Sequence, residues 1–378
     1  MDEMHPSQMA RTVTSFLVMD VMERANILAS EGRDIIHLEV GEPDFDTPDC
    51  IRKAAYEAMQ HGRTHYTDSL GIPELRHAIA AHYGKTYGVQ VDESRIMVTA
   101  GSSPALLMAI ACLVDAGDEI IMSDPYYACY PNFTRILKAV PHLVPTGSAD
   151  GFQLDPSKVR DCMSEASKAV LINSPANPTG ICLDAEHMKA LGSLGIPIIS
   201  DEIYHGLVYE SEQHTILEFT DNAVVINGFS KAYAMTGFRV GYVSAPPELS
   251  EALLKVHQYS TACASSLSQA AALEALTGPQ ESVGEMVAEF QKRRNLVVSR
   301  LNHMGLECNM PQGAFYVFPQ VRDPDLFVAE ALKRGVVLVP GASFGGHGAG
   351  HFRLSYAASY PDLEESMDRL ESLVKSFL

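Results

Sequence analysis

Short, mostly apolar runs recur through the middle of the chain, and each ends at a turn that contains polar or small residues. These runs lie at residues 95–100, 119–122, 168–172, 196–200 and 223–226. Their lengths and their branched side chains are typical of buried strands. Helical segments follow the turns, so the pattern predicts an α/β fold with a mostly parallel sheet flanked by helices.

The two ends of the chain add further elements. Helices are predicted over 11–31, with apolar positions from Phe16 to Leu28, and over 362–378. The remaining predicted elements are helices over 48–61 and, with a break near 277–279, 247–304, and strands over 34–40, 312–319 and 336–341. A chain of 378 residues is too long for one ordinary core. We therefore expect a large domain over 48–280 and a small domain built from 1–47 and 281–378.

Composition and charge narrow the class of protein. Hydrophobic residues make up 46% and charged residues 20%, as in ordinary globular proteins. The net charge of −19 argues against a nucleic-acid partner, whose binding needs clustered Lys and Arg. No apolar run approaches the roughly 20 residues of a membrane helix, so no membrane partner is expected. The N-terminal segment, residues 1–5, lacks the apolar core of a signal peptide.

The cysteines and histidines do not suggest a metal or a disulfide framework. The seven cysteines form no Cys-x-x-Cys pair, and no Cys/His spacing resembles a zinc site. His347 and His351 lie in a glycine-rich loop without convincing ligand partners, so no metal is predicted. An odd number of scattered cysteines is typical of reduced thiols, and we expect a cytoplasmic protein.

A lysine directly after a core strand is the most informative position. The apolar run 223–226 leads into Ser230 and Lys231, and Arg239 follows after Gly237. Burial disfavours the charge of a lysine, lowers its pKa and makes its amine available as a nucleophile or proton carrier. A solvated lysine at a strand end is the more common interpretation of such a residue taken alone.

Two other charged residues belong to buried strands and require partners. Asp201 ends the run 196–200, and Arg353 lies within an apolar strand segment, Phe352 to Ala357. Asp201 could cap a helix, and Arg353 could form a buried ion pair, as alternatives to ligand binding.

Several turns contain residues that could contact a ligand. Ser102 and Ser103 follow Gly101 at the start of a predicted helix, where free backbone N–H groups attract phosphate. The Asn177 turn and the Gly41 loop have the composition of ordinary turns. Tyr66 taken alone is best explained as a packing tyrosine.

Four stretches together resemble the class I and II aminotransferases, the pyridoxal 5′-phosphate (PLP) enzymes of fold type I. They are the Lys231 stretch 227–239, the loop 41–45, the stretch 66–76 and the turn 177–180. The resemblance covers nearly the whole chain, from about Arg11 onward. It implies a seven-stranded-type large-domain sheet and a homodimer.

The resemblance assigns roles to individual residues. Lys231 holds PLP as a Schiff base, Asp201 keeps the pyridine nitrogen protonated, and Tyr204 contacts the phenolic oxygen. The implied cofactor-binding set is Ser102, Ser103, Tyr127, Asn177, Asp201, Tyr204, Ser230, Lys231 and Arg239, with Tyr66 reaching the phosphate of the partner. The implied substrate-binding set is Gly41, Asn177 and Arg353. Some relatives carry Ser or Thr where this chain has Gly228, so one side-chain contact to phosphate is not expected.

The implied activity is transamination between an L-amino acid and a 2-oxo acid through pyridoxamine phosphate. A C–S β-lyase of the cystathionine type is an alternative, since both reactions begin with loss of the α-proton. A PLP-binding regulatory domain is a third interpretation, which the acidic composition does not favour. Some aspartate enzymes of this subgroup carry Lys in the turn that here reads Gly101-Ser102-Ser103. A neutral or broad side-chain pocket is therefore expected, with an N-terminal residue or the partner subunit as an alternative source of the second cation that an aspartate enzyme needs.

Overall fold

The computed structural model describes residues 4–15 and 17–377, so Phe16 of the first predicted helix lies outside the described residues. Its strands are β1 Ile36–His37, β2 Ile96–Thr99, β3 Glu119–Asp124, β4 Val140–Pro145, β5 Ser167–Asn173, β6 Ile198–Asp201, β7 Ala223–Gly228, β8 Gly241–Ser244, β9 Tyr316–Val317, β10 Val336–Val337, β11 Val339–Pro340 and β12 Phe352–Ser355. Its helices are α1 Gln8–Thr12, α2 Leu17–Ser30, α3 Asp49–Gln60, α4 Pro73–Tyr87, α5 Ser102–Ala111, α6 Cys129–Ile136, α7 Pro156–Cys162, α8 Ala185–Gly192, α9 Pro247–Ser260, α10 Ser266–Thr277, α11 Glu281–His303, α12 Pro324–Lys333 and α13 Tyr360–Phe377.

A seven-stranded sheet forms the centre of the fold, in the order β2-β8-β7-β6-β5-β3-β4. All neighbouring pairs are parallel except those of β8, which runs antiparallel to β2 and to β7. The predicted α/β class with a mostly parallel, seven-stranded sheet is therefore confirmed. Two of its strands, β4 and β8, are not predicted by the sequence pattern.

Alternate strand residues face two apolar cores on opposite sides of this sheet. On β5, Val170 and Ile172 belong to one core, while Ala169 and Leu171 belong to the other. Residues of α4, α8 and α10 complete the first core, and residues of α5 and α9 complete the second. Burial on both faces explains why the strands read as continuous apolar runs.

The C-terminal part of the chain forms a third core with β1 near the N-terminus. Strand β1 pairs in parallel with β10, and β11, β12 and β9 form a separate antiparallel sheet. Residues of α11, α12 and α13 pack on these strands. These C-terminal strands and β1 are shorter than the sequence pattern predicts. The predicted helical region 247–304 consists of three helices, and the break at 261–265 is not predicted. The domain limits at 48 and 281 stay a prediction.

The order of the strands brings distant parts of the chain to one edge of the sheet. The parallel strands β5, β6 and β7 end there at Asn173, Asp201 and Gly228. Because β8 runs in the opposite direction, its first residue Gly241, just after Arg239, lies at the same edge. Ligands bind at the carboxyl ends of strands in such sheets.

No helix of the described residues is long and apolar enough to cross a membrane.

Gly241 is expected to be essential for packing at this edge. A Cβ atom there would lie 2.9 Å from the Asn227 carbonyl oxygen and 3.1 Å from the Ser102 nitrogen, both backbone atoms. We expect Gly241→Ala to lower the free energy of unfolding by ~1–3 kcal/mol, measured by denaturant titration.

Gly284→Ala is the matched control. Gly284 lies in α11, where an added Cβ would meet nothing within 4 Å. Its replacement should raise stability by up to ~1 kcal/mol through helix propensity. Equal stability of Gly241→Ala and the wild type would contradict the close packing of β8 on the turn before α5.

Candidate active site

A cavity of 270 Å³ opens at the carboxyl edge of the seven-stranded sheet. Of the twelve predicted site residues, eleven line it: Gly41, Ser102, Ser103, Tyr127, Asn177, Asp201, Tyr204, Ser230, Lys231, Arg239 and Arg353. Tyr66 does not, and its side chain is 88% exposed. The structure thus brings together residues that are up to 312 positions apart in the sequence, from Gly41 to Arg353.

Lys231 follows β7 and points its amine across the cavity. Its Nζ donates a hydrogen bond of 2.6 Å to the carbonyl oxygen of Gly41. Burial lowers the pKa of Lys231 to about 8, with Arg239 and Arg353 adding repulsion and Glu42 opposing the shift. The amine is therefore far closer to its neutral, nucleophilic form at physiological pH than an ordinary lysine.

Asp201, the last residue of β6, presents a buried carboxylate to the same cavity. The Tyr130 hydroxyl donates to its Oδ2 at 2.8 Å, and the Ile203 N–H donates to its Oδ1 at 3.2 Å. Burial raises the pKa of Asp201 to about 6, and these two hydrogen bonds oppose the rise. The Ile203 bond is a local turn contact. No helix of the described chain begins at Asp201, so the alternative of a helix N-cap is not realised. No ion pair with a cationic side chain is found in the described part of the chain, so the carboxylate can receive a cationic N–H of a ligand.

The turn between β2 and α5 is shaped to hold an anion. Gly101 has a φ of 100°, which favours glycine, and Ser102 and Ser103 begin the helix. A Cβ on Gly101 would lie 2.6 Å from Nη2 of Arg239, so this guanidinium passes directly over the turn. The helix N-terminus, the hydroxyls of Ser102 and Ser103, and Arg239 could together hold a phosphate group, and we call this arrangement the phosphate cup.

Arg353 on β12 is only 2% exposed. Its Nη1 donates to Oδ1 of Asn177 at 2.9 Å, and its Nη2 donates to the carbonyl oxygen of Glu39. Among the residues that the structure describes, no carboxylate forms an ion pair with it, so the alternative of a buried ion pair is not realised. A guanidinium held by neutral acceptors in a cavity is suited to bind a carboxylate.

Aromatic residues complete the cavity. Tyr127 meets Tyr130 edge to face, with ring centroids 5.5 Å apart. The hydroxyls of Tyr204 and Tyr316 are 2.8 Å apart. Flat faces of this kind suit a flat aromatic ligand.

Several residues that line this cavity have no local signal in the sequence that points to a ligand. Tyr130 and Tyr316 lie in an apolar helix start and an apolar strand, where their hydroxyls give no local signal. Val18, Met19 and Met22 of α2 also line the cavity. Their helical spacing does predict an apolar face, but the spacing alone does not distinguish a face on the core from a face on a ligand.

No group of three or more His, Cys, Asp and Glu side chains suited to a metal ion occurs in residues 4–15 and 17–377. The phosphate cup, the unpaired carboxylate of Asp201 and the amine of Lys231 instead fit an aromatic aldehyde phosphate. The site therefore has the donors and acceptors that PLP requires.

Comparisons with known proteins agree with this geometry. The family model for aminotransferase class I and II matches residues 33–370. A (5-formylfuran-3-yl)methyl phosphate transaminase of Methanocaldococcus jannaschii is 42% identical over 367 residues, which are 95% of this chain and 97% of the relative. An aromatic-amino-acid aminotransferase 2 of Thermococcus litoralis is 36% identical over 364 residues, which are 92% and 94% of the two chains.

Solved structures lead to the same family. An aspartate aminotransferase from Thermotoga maritima is 37% identical and superposes with a TM-score of 0.94 over 98% of this chain and 100% of that one. These relatives are named for different substrates.

The lowered pKa of Lys231 predicts how fast the apoprotein captures PLP. The neutral amine attacks the aldehyde, so the capture rate should rise with pH and level off above about 8 instead of above the ordinary 10.5 of lysine. Rapid-mixing absorbance measurements across pH 6 to 11 would follow the reaction.

Lys231→Ala is the control for surface lysines, which also react with aldehydes. The variant should show only slow PLP capture, whose rate does not saturate. The pH midpoint of that rate should lie near the pKa of an ordinary lysine. A wild-type midpoint above pH 10, or a fast phase that survives in the variant, would contradict the assignment of the perturbed amine to Lys231.

Proposed function

We propose that this chain, which belongs to the class I and II aminotransferases, binds PLP in the cavity at the sheet edge and transfers the amino group of a neutral L-amino acid to a 2-oxo acid. The family uses PLP, and the chain is an aminotransferase. Its relatives do not favour the C–S β-lyase alternative. The observation that carries the cofactor assignment is the presence of Lys231, Asp201 and the Arg239 cup in one cavity.

The phosphate of the cofactor would be held at the turn before α5. The phosphate cup of Ser102, Ser103 and Arg239 would bind it, and Ser230 would add a hydroxyl. Bound PLP withdraws electrons from the α-carbon of an amino acid and carries its amino group between two substrates.

Other residues would act on the aromatic part of the cofactor. Asp201 would keep a proton on the pyridine nitrogen, since a buried carboxylate without an ion-pair partner favours a cationic neighbour. Tyr127 would stack on the ring, and Tyr204 with Asn177 would donate hydrogen bonds to the phenolic oxygen.

Lys231 would have two roles. It would link covalently to the cofactor aldehyde, and as a free amine it would move the α-proton of the substrate. It is the only lysine among the described lining residues, and its lowered pKa makes it a suitable base. Its hydrogen bond to the Gly41 carbonyl supports this role, because Gly41 lies two residues after Glu39, whose carbonyl oxygen accepts a hydrogen bond from Arg353.

Arg353 would bind the α-carboxylate of the substrate, and Asn177 and the backbone of Gly41 would border it. Asn177 already accepts a hydrogen bond from Arg353, which orients the guanidinium. Because the guanidinium is buried without a carboxylate partner, an incoming carboxylate gains a strong charge-assisted interaction.

The side-chain pocket favours neutral substrates. Its outer lining includes Val18, Met19, Met22 and Val40, which are apolar. Beyond Lys231, Arg239 and Arg353, whose roles are assigned above, the described lining contains no further Lys or Arg. Glu42 adds a negative charge at the mouth. A second carboxylate on the substrate would be buried here without a partner.

We also propose a homodimer and a cytoplasmic location. Tyr66 and Tyr259 are 88% and 96% exposed, which is unusual for large aromatic side chains and fits a surface covered by a second copy. In such a dimer Tyr66 would reach the cofactor phosphate of the partner. Sedimentation of the protein as a single species at the chain mass of 41.1 kDa would contradict the dimer.

The cysteines support the proposed cytoplasmic location. All seven are free of disulfides, as expected for reduced thiols.

The proposed function predicts the outcome of a single-turnover experiment with the PLP-loaded protein. Leucine, methionine and phenylalanine should each convert the cofactor from its aldehyde to its amine form, followed by absorbance. Aspartate should react with a kcat/KM about tenfold or more lower, because its second carboxylate lacks a cationic partner. A preference for aspartate would contradict the neutral pocket while leaving the transamination intact.

Lys231→Ala is the control for the role of the lysine. It should lose turnover by on the order of 10³-fold or more, because it lacks both the covalent link and the proton carrier. Substantial multiple-turnover transamination by this variant would contradict the mechanism. Release of pyruvate and ammonia from cystathionine by the wild type, without a 2-oxo acid acceptor, would instead support the lyase.

A further inference from the structure

Tyr316 contacts two residues to which roles are assigned above, Arg353 and Tyr204. It belongs to β9, is only 1% exposed and lines the cavity. A Cβ atom on Gly41 would overlap its hydroxyl, so Gly41 must be glycine in order to leave room for Tyr316. Neither the motifs of the sequence nor the roles assigned above use this side chain.

The ring of Tyr316 contacts Arg353. The guanidinium carbon lies 4.6 Å from the ring centroid of Tyr316, and the ring of Phe344 lies at 4.8 Å. Asn177 and the Glu39 carbonyl hold the two terminal nitrogens, while Nε has no hydrogen-bond partner in the described structure. The hydrogen bonds therefore fix the tip of the guanidinium, and the aromatic rings fix its plane and attract its charge.

The hydroxyl of Tyr316 contacts Tyr204. The two oxygens are 2.8 Å apart, and this is the only hydrogen bond of the Tyr316 hydroxyl found among residues 4–15 and 17–377. A hydroxyl has a single proton to donate. If Tyr204 donates its proton to a ligand oxygen in the cavity, Tyr316 must donate to Tyr204.

The protonation states of the pair allow this direction. Burial raises the pKa of Tyr204 and of Tyr316, so both remain hydroxyl donors at physiological pH. Hydrogen bonds in a chain strengthen one another, since each donation makes the next hydroxyl a better donor. Tyr316 can thus influence a ligand oxygen that it does not itself contact.

We propose that Tyr316 is a positioning residue with two separable roles, in which its ring orients Arg353 for the substrate carboxylate and its hydroxyl strengthens the donation from Tyr204 to the cofactor phenolic oxygen. This inference rests on the proposed function, because it assigns to Arg353 and Tyr204 the partners given there. It adds a single side chain that links carboxylate binding to the electronic state of the cofactor.

Tyr316→Phe tests the hydroxyl, since it keeps the ring against Arg353. The phenolic oxygen of the bound cofactor should then carry more negative charge and hold the neighbouring proton more tightly. The pH midpoint of the visible absorbance change of the lysine-linked cofactor should therefore rise, and kcat should fall several-fold. The KM for the amino acid should stay within about twofold, because the ring is retained.

Tyr316→Leu tests the ring, since it removes both contacts. The KM for the amino acid, and the dissociation constant of a competing monocarboxylate, should rise about 5- to 30-fold relative to Tyr316→Phe. Thermal unfolding of each variant identifies any loss of folded protein. The isosteric Phe variant keeps the inference testable if the Leu variant is unstable.

Tyr356→Phe is the matched control. Tyr356 is also buried in the core of the C-terminal elements, and its hydroxyl lies 3.1 Å from that of Tyr209, away from the cavity lining. It should change neither the absorbance midpoint nor KM.

The outcomes separate this inference from the proposed function. An unchanged absorbance midpoint in Tyr316→Phe, in a protein whose wild type transaminates, would overturn the hydroxyl role. A KM in Tyr316→Leu equal to that of Tyr316→Phe would overturn the ring role. Absence of transamination by the wild type would overturn the proposed function instead.

Discussion

The structure depends on keeping three charged side chains in one cavity without neutralising them by ion pairs within the chain. Lys231, Asp201 and Arg353 line one cavity, and none forms an ion pair within the described part of the chain. Charges withdrawn from water without a partner cost several kcal/mol each. Burial accordingly raises the pKa of Asp201 to about 6 and lowers that of Lys231 to about 8.

The cost of burying these unpaired charges is reasonable for a site that a ligand with complementary charges completes. An electron-poor ring with a cationic nitrogen, an aldehyde and a phosphate, together with a substrate carboxylate, would supply every missing partner.

The fold supplies the rigidity that this arrangement needs. Asp201 and Lys231 follow adjacent parallel strands, β6 and β7, whose flanking cores bury both faces of the sheet. Arg239, two residues before the reversed strand β8, lies at the turn before α5. Gly101 leaves room there for its guanidinium, and Gly241 lets the backbone of β8 approach the turn closely. Arg353 comes from the separate C-terminal core and enters the cavity from the other side. Side chains on strand ends are held more precisely than those on long loops, which suits chemistry that depends on the position of one amine.

The sequence predicted those parts of the structure that have a local cause. Strands buried on both faces appear as apolar runs, and charged residues at their ends are conspicuous, so Asp201, Lys231 and Arg353 could be identified before the structure. Strand β4 was missed because Pro141 and Pro145 are untypical of strands, although its edge position tolerates them. Strand β8 was missed because it is only four residues long. Tyr316 was missed because its proposed role depends on a hydrogen bond to a residue 112 positions away. Apolar residues of α2 gave a helical signal, but only the tertiary structure shows that part of that face borders the cavity.

The most direct test of this account is to locate the covalent attachment of the cofactor. The purified protein would be loaded with PLP, reduced with borohydride, digested and mapped by mass spectrometry. We predict a visible absorbance band that reduction removes, and a single modified peptide that carries the label on Lys231. A protein that PLP cannot reconstitute, or a label on other lysines with Lys231 unmodified, would contradict a PLP site built around this amine in the cavity at the sheet edge.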